Sequence, residues 1–540
     1  MEREKAEQLE VRLRDLREDI PEAVATLDVL RRAGLEATWA RRTEDFAAQR
    51  RPWLVRFRVP APLAQGFELA PELLAILSPF DELQARDVAA VERALAESLR
   101  TDRGLVLCVS RDERAEARVR ATLPATRKYV FLTFAQAAAA GDPQRWLRDL
   151  LRASLSSARL FAPGRLGSEW DFIGREAQLQ EIGRLLLREG QPVGVFGLRR
   201  VGKTSLLLHW REALRRSGPG APPDAVMLYL NLHAVGFDES GPAGFMRLVV
   251  REAQQWLPWL VGDRAPGPAT RWAQAHTTSR SPSEARLSEL GREAIDDLLE
   301  WCVAHDRRLI VAIDEYEGML RDDGLREGPR LLTWMRGLYQ QNPQHFCFVV
   351  AGLDRDWLRR PRVRGLQNPL FGLVVDQPLA GLSRADLGAM IRRIGRRAQL
   401  EFDHVAVERI FEESGGHPYL ARLLCDLVDQ RTPVTERAPA SVGLAEVEAV
   451  LPRFERETRP TMEEFAQSAR IVSGLPDFEL ALLAHADAAG DVDPVALEEL
   501  ESYGIVGKTR QGGCGYRIGA LGRWLRNNYE PPKRAAGGAR

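Results

Sequence analysis

The stretch PVGVFGLRRVGKTSLLLHWREAL, residues 192–214, decides how the chain is read. PVGVF is an apolar run of strand length, GLRRVGKT (197–204) is a glycine-bounded loop, and SLLLHWREAL continues as a helix. This is the pattern G-x-x-x-x-G-K-[ST] in the strand–loop–helix setting that gives it meaning. Gly197 and Gly202 let the backbone turn its N–H groups toward phosphate oxygens, and the start of the helix adds a partial positive charge. Lys203 neutralises phosphate charge, and the Thr204 hydroxyl, with Ser205 beside it, is placed to ligand Mg²⁺. Arg199 and Arg200 lie within the loop itself, where phosphate contact and a solvated loop face are both open readings.

The second half of such a site is RRLIVAIDEYE, residues 307–317. Its apolar residues Leu309 to Ile313 form a buried strand that delivers Asp314 to the C-terminal end, where α/β sheets present their ligands. Asp314 is expected to hold Mg²⁺ through its water shell, and Glu315 to act as the general base that orients the attacking water. The expectation is an ATPase with ATP or ADP and Mg²⁺ as its ligands.

Strand-like runs at 192–196, 225–232, 309–313, 346–351 and 371–376 alternate with helical segments, which predicts a five-stranded parallel sheet. A polar, Pro-rich stretch at 262–286 reads as an insertion. Helical patterns take over from 383 to 430, with Asp386 three residues after Ser383 as an N-terminal capping arrangement. The last part has helices followed by GIVGKTR (504–510) and GYRIG (515–519), turned by Gly512 and Gly513, the order of a winged helix.

Upstream, Val55, Phe57 and Val59 alternate with arginines, and LVLCVS (105–110) and KYVFLTF (128–134) are apolar runs, so a small open α/β sheet is expected there. Ser110, Asp112 and Glu113 fall near a strand end, as active-site residues or as helix caps. Leu9, Leu13, Leu16 and Ile20 stripe the first of two short helices, either a dimerising coiled coil or a hairpin packed on its own domain. The expected fold is therefore multidomain α/β. Residues 1–35 form a helical hairpin, 36–165 an α/β domain of unknown role, and 166–380 the P-loop core; a helical lid spans 381–440, a winged helix 441–530 and a disordered tail 531–540. The linkers are APGRLGSEW (162–170) and QRTPVTERAPAS (430–441).

Composition narrows the function classes. The 540 residues are 45% hydrophobic and 28% charged, the balance of a soluble multidomain protein. The 76 basic residues equal the 76 acidic ones, which removes overall charge as an argument for nucleic acid. Only five lysines occur, so Lys203 stands out in an arginine-rich chain. Five scattered cysteines without a C-x-x-C indicate neither zinc nor a disulfide framework. With a charged N-terminus and no apolar run of about 20 residues, no membrane partner and a cytoplasmic location are expected.

FIGREAQLQEI (172–182), the loop GLRRVGKTSLL, the strand ending in Asp-Glu, PLAGLS (378–383) and GGHPYLARLL (415–424) together resemble the STAND class of P-loop ATPases. The likeness is to its archaeal-type branch and to origin-recognition-type AAA+ initiators. It covers about 170–530 and leaves out the N-terminal α/β domain. The resemblance implies that Phe172, Ile173 and Arg175 lie against adenine, with a hydrophobic staple as the other reading of Phe172. It implies that Pro418 packs near the base, although Pro418 equally suits the first position of a helix after Gly415 and Gly416. It also puts Arg355 where related ATPases carry a γ-phosphate sensor.

STAND proteins are slow, regulatory ATPases in which exchange of ADP for ATP opens the lid and winged helix for homo-oligomerisation, and this activates an effector. The resemblance implies the same here, with an unidentified protein trigger or effector. A DNA-binding ATPase of the initiator or transposition-helper kind is the alternative. Its recognition helix would be DPVALEELESYGIV (493–506), whose Asp493, Glu498, Glu499 and Glu501 would repel DNA phosphates, while Lys508, Arg510, Arg517, Arg523 and Arg526 leave backbone contact through the wing.

Overall fold

The computed structural model describes residues 2–43, 51–67, 69–84, 91, 94–95, 101–119, 128–156, 160–162, 172–214, 225–232, 237–254, 256, 284–317, 328–363, 366–432, 439–483, 492–508 and 514–529. Most of the two expected linkers, most of the 262–286 insertion, Arg510, the turn glycines Gly512 and Gly513 and the 531–540 tail lie outside the described residues. The chain forms two compact units. One comprises Met1–Ile173, Ala385–Ile410 and Arg422–Phe454; the other comprises Gly174–Arg384, Phe411–Ala421 and Glu455–Arg540.

The first unit is built on a five-stranded sheet in the order β1 (Glu36–Arg42), β2 (Trp53–Arg58), β3 (Glu72–Leu77), β4 (Thr101–Ser110), β5 (Lys128–Thr133). The first three strands pair antiparallel, whereas β3, β4 and β5 run parallel. The N-terminal helices Glu2–Asp19 and Ala23–Arg32 bury Leu13, Leu16, Ile20, Leu27 and Leu30 in the same apolar cluster as Val55, Phe57, Leu107 and Val109 of the sheet. The leucine stripe is thus half of a domain core.

Helical segments from far along the chain join this unit. Arg397 on helix Arg384–Ala398 donates to the fully buried Asp102 at 2.6 Å, and Asp102 also accepts from Ala70 N at 2.9 Å and Gly104 N at 2.8 Å. Phe161 meets Phe402 edge to face, and Arg422 donates to the carbonyls of Leu160 and Ala162. A buried carboxylate needs this full set of donors, because an uncompensated one would cost several kcal/mol.

The second unit contains a parallel sheet in the order β12 (Val375–Pro378), β6 (Val193–Phe196), β9 (Phe346–Gly352), β8 (Arg308–Asp314), β7 (Ala225–Asn231). The expected five parallel strands are present. The fifth is displaced: the apolar run at 371–374 is turn, with Phe371 47% exposed, and the strand begins only at Val375. The interior strand β9 is buried along its whole length, so its side chains are apolar on both faces. A small hairpin, β10 (Arg362–Val363) and β11 (Leu366–Gln367), precedes the edge strand.

A short parallel pair, β13 (Leu400–Phe402) and β14 (Ala440–Val442), belongs to the first unit. The C-terminal part follows the order read from the sequence: helices Leu444–Ser473, Asp477–Leu482 and Pro494–Ser502, an antiparallel hairpin of β15 (Val506–Lys508) and β16 (Cys514–Tyr516), and a closing helix Gly519–Asn528. No helix among the described residues is long and apolar enough to cross a membrane.

Candidate functional site

The phosphate loop leaves β6 and ends where helix Lys203–Leu214 begins. Its conformation depends on residues that tolerate little substitution. A Cβ on Gly197 would sit 2.4 Å from the Leu379 carbonyl oxygen, so the close approach of that segment excludes any side chain. Gly202 has φ 108°, a conformation open to glycine and costly for other residues, and nothing lies within 4 Å of where its Cβ would be. Arg200 adopts φ 60° in the same turn.

Lys203 is buried and its ammonium donates to the carbonyls of Gly197 at 2.8 Å and Leu198 at 3.1 Å. Burial pulls its pKa down, against the opposing pull of Glu315, Glu317 and Asp314. Those carboxylates balance the loop's positive charge.

The sheet brings Asp314 to the loop. Only β9 intervenes between the loop strand β6 and the Asp strand β8. Asp314 is fully buried; its Oδ2 accepts from Thr204 Oγ1 at 2.6 Å and from Tyr229 Oη at 2.6 Å, and its Oδ1 accepts from Glu315 N at 3.1 Å. Residues distant in sequence thus converge on one carboxylate. Glu315 follows in a left-handed conformation, φ 59°, strained for a side-chain-bearing residue and of the kind that collects at functional sites.

These residues fit a Mg²⁺-nucleotide. The open cradle at Gly202, the helix start, a buried ammonium, and a hydroxyl hydrogen-bonded to a carboxylate supply what a phosphate and its cation need. Thr204 and Asp314 are the residues that would hold the ion.

Several site candidates have other engagements. Arg175 is buried and donates to the carbonyls of Val201 at 3.2 Å and Ala380 at 2.8 Å, so it braces the loop from outside. Arg200 donates to Thr461 at 3.2 Å and stacks 4.5 Å over the Tyr419 ring; Arg199 pairs with Glu464 at 2.6 Å. Both loop arginines therefore reach toward other segments of the chain. Arg355 donates to Glu499 at 2.7 Å and Asp376 at 3.0 Å, and its guanidinium lies over Tyr503, so its partners are not in the phosphate loop. Phe172 and Ile173 are half-buried. Pro418 is the first residue of helix Pro418–Arg431, after Gly415 and Gly416 at φ 60° and 79°.

Three further residues matter, of which the sequence marked only His417, as a weak candidate within the GHP triplet. His417 is buried, donates from Nε2 to the Arg199 carbonyl at 3.0 Å and packs on Phe465. Burial brings its pKa down to about 3, so it is neutral. Glu317 accepts from the amides of Leu353 and Asp354, and a Cβ on Gly352 beside it would meet its carboxylate at 2.2 Å, so a side chain there would displace the carboxylate. Burial raises the Glu317 pKa, and its Oε2 has no hydrogen-bond partner among the described residues. Tyr229 is the third. Only the D-E-Y-E spacing of 314–317 offered a sequence signal for Glu317.

In the N-terminal sheet, Asp112 accepts from Leu83 N at 3.1 Å and Arg114 N at 2.9 Å and pairs with Arg118, while Ser110 accepts from Asp112 N. Those groups brace a loop.

The glycine-bounded loop, the parallel sheet feeding it and the carboxylate it meets define a P-loop nucleotide-binding fold. The Walker-type ATPase of Pyrococcus abyssi is similar over 68% of this chain and 99% of its own, at 16% identity and a TM-score of 0.44. Cdc6p of Pyrobaculum aerophilum is similar over 68% and 97%, at 14% identity and a TM-score of 0.33. The RuvB Holliday junction branch migration motor of Thermotoga maritima is similar over 65% and 95%, at 16% identity and a TM-score of 0.30. No protein-family model matches the sequence, and no curated protein matches it.

Proposed function

We propose that the chain is an ATP-binding and ATP-hydrolysing switch of the STAND type, in which C-terminal elements hold the nucleotide site in a closed resting state. One observation carries the reading: side chains of the C-terminal segment end on the loops that would handle phosphate. Glu464 and Thr461 take Arg199 and Arg200 of the phosphate loop, and Glu499 takes Arg355 of the loop after β9. His417 fixes the phosphate-loop carbonyl at Arg199.

In this reading Lys203 turns from the carbonyls of its own loop to the β- and γ-phosphates, and the loop amides receive their oxygens. Thr204 and Asp314 would hold a Mg²⁺, which when bound would supply charge neutralisation. Glu315 orients the attacking water. A γ-phosphate and its charge then compete for Arg199, Arg200 and Arg355, which frees the C-terminal segment for homo-oligomerisation and for a protein effector. Turnover is slow, since hydrolysis serves to reset the switch.

A second reading, a DNA-binding ATPase, rests on a cavity of about 720 Å³ beside the hairpin, lined by Arg384, Lys508 and Arg517 along with Phe411, Glu412 and Glu501. Against it, helix Pro494–Ser502 has no basic residue, and its Glu499 is buried against Arg355 and Arg359. Light scattering with ADP, with ATP and Mg²⁺, and with ATP plus duplex DNA separates the two. A mass increase on ATP alone supports the switch; salt-sensitive duplex binding at physiological ionic strength supports the DNA reading. Lys203→Ala should abolish binding of a fluorescent ATP analogue, and undiminished affinity would remove the site assignment beneath both.

A further inference from the structure

We propose that Tyr229 is a positioning residue for the metal-binding carboxylate, fixing the orientation of Asp314 through its phenol and so setting the affinity of the site for a divalent cation. The inference rests on the nucleotide-site reading above and adds a residue that no motif marks.

Strand pairing makes the contact. In the parallel pair β7–β8, Tyr229 lies opposite Ala312 and Asn231 opposite Asp314. Alternation along a strand then places all four side chains on one face of the sheet. Tyr229 reaches two residues forward, and its hydroxyl donates to Asp314 Oδ2 at 2.6 Å. Asn231 Nδ2 donates to the same phenol oxygen at 3.3 Å. On the ring's other side Arg211, paired with Glu252 at 2.8 Å, places its guanidinium 5.6 Å from the ring centre.

The hydroxyl has a chemical reason to be there. Tyr229 is buried in a strand whose neighbours Leu228 and Leu230 are purely apolar, and phenylalanine would fill the same space. What the oxygen adds is a donor to a fully buried carboxylate. A phenol is protonated at neutral pH, so it remains a donor.

Thr204 donates to the same Oδ2, and a hydroxyl that keeps its proton on Asp314 has a lone pair left for a cation. Tyr229 thus holds the carboxylate when Thr204 turns toward an ion, and the Glu315 amide holds Oδ1. Outer-shell partners of this kind are worth roughly 10–100-fold in metal affinity.

The test uses the full chain carrying Tyr229→Phe, with Mn²⁺ as the probe, titrated by electron paramagnetic resonance in the presence of ADP. The expected result is Mn²⁺ affinity at least about tenfold weaker than wild type, with ADP affinity in EDTA unchanged. Mn²⁺ affinity within twofold of wild type would overturn the proposal, as would an equal loss of ADP affinity in EDTA, which would make the role purely structural. Should Tyr229→Phe fail to fold, Asn231→Ala, which leaves the ring in place, carries the test: weaker Mn²⁺ binding supports it and unchanged binding overturns it. Asp314→Asn separates the two levels of failure. If wild type binds neither ADP nor Mn²⁺–ADP, the site reading fails; if Asp314→Asn loses metal and Tyr229→Phe does not, only this inference fails.

Discussion

Replacing Glu499 by glutamine tests the closed-state reading at its most buried ion pair. Glu499 lies at the end of a carboxylate–guanidinium cluster. It accepts from Arg355 at 2.7 Å and from Arg359, while Asp376 holds the other side of Arg355 at 3.0 Å. Despite burial, the two guanidiniums hold the Glu499 pKa below its ordinary value. Breaking one partner of a buried ion pair costs about 3–5 kcal/mol. Two features reduce this: Asp376 continues to compensate Arg355, and Arg359 is half-exposed, so its pair is worth at most about 1 kcal/mol. A loss of about 2–3 kcal/mol from the closed arrangement is the working figure, roughly a 30- to 150-fold shift toward the open one. The same loop is held from the sheet by Glu317 through the amides of Leu353 and Asp354, and by Tyr503, which donates to the Leu353 carbonyl. Freed on one side, it should transmit the change to the nucleotide site. Glu499→Gln is therefore expected to release a fluorescent ADP analogue at least tenfold faster and to raise basal ATP turnover, with light scattering showing larger species at lower ATP. Release and turnover within twofold of wild type, in a variant that folds, would refute the reasoning.

Two other perturbations probe the site directly. Glu315→Gln keeps the shape of the side chain and removes its basicity, so it should retain ATP while losing at least about a hundredfold in turnover; wild-type hydrolysis would assign the water to another residue. His417 is held neutral with its pKa at about 3, against an ordinary value of about 6.5, so its contribution to stability is present above pH 6.5 and is lost as pH falls toward 3. Between pH 6.5 and 5 the loss is about 2 kcal/mol. His417→Gln, which cannot titrate, should melt with a shallower acid dependence over that interval, and equal slopes for the two proteins would contradict the burial argument.

The loop and Asp314 were legible because each is a contiguous motif whose chemistry depends on local order: glycine, lysine and hydroxyl at fixed offsets, and an apolar strand ending in a carboxylate. The interior strands were legible for the same reason, being apolar throughout. The edge strand β12 was not. β12 pairs only with β6, its residues Val375 to Gln377 are half-buried, and polar Asp376 and Gln377 are tolerated there, so apolarity pointed to the run just before it. In the N-terminal sheet β1 is likewise an edge strand, EATWARR, whose arginines hide the alternation. Side-chain engagements were the least visible. Nothing local distinguishes Arg355 as the partner of Glu499, Arg175 as a brace for the Val201 carbonyl, or Tyr229 as a donor to Asp314, since each contact is made by folding distant segments together.

Strain in the site points the same way as the ion pairs. Arg200 and Glu315, one in the phosphate loop and one beside Asp314, both adopt left-handed backbone conformations at φ 60° and 59°. Such residues cost of order 1–3 kcal/mol each and persist only where their surroundings over-determine them. For Arg200 the surroundings are identifiable: its side chain is stacked on Tyr419 and bonded to Thr461, and the preceding carbonyl is held by His417. These restraints come from the GHP turn and helix Leu444–Ser473, outside the sheet that carries the loop. A C-terminal segment that withdrew would remove what keeps Arg200 in place and let the loop relax. In the proposed switch, strain in the loop's own backbone would favour that relaxation once a γ-phosphate competes for the arginines.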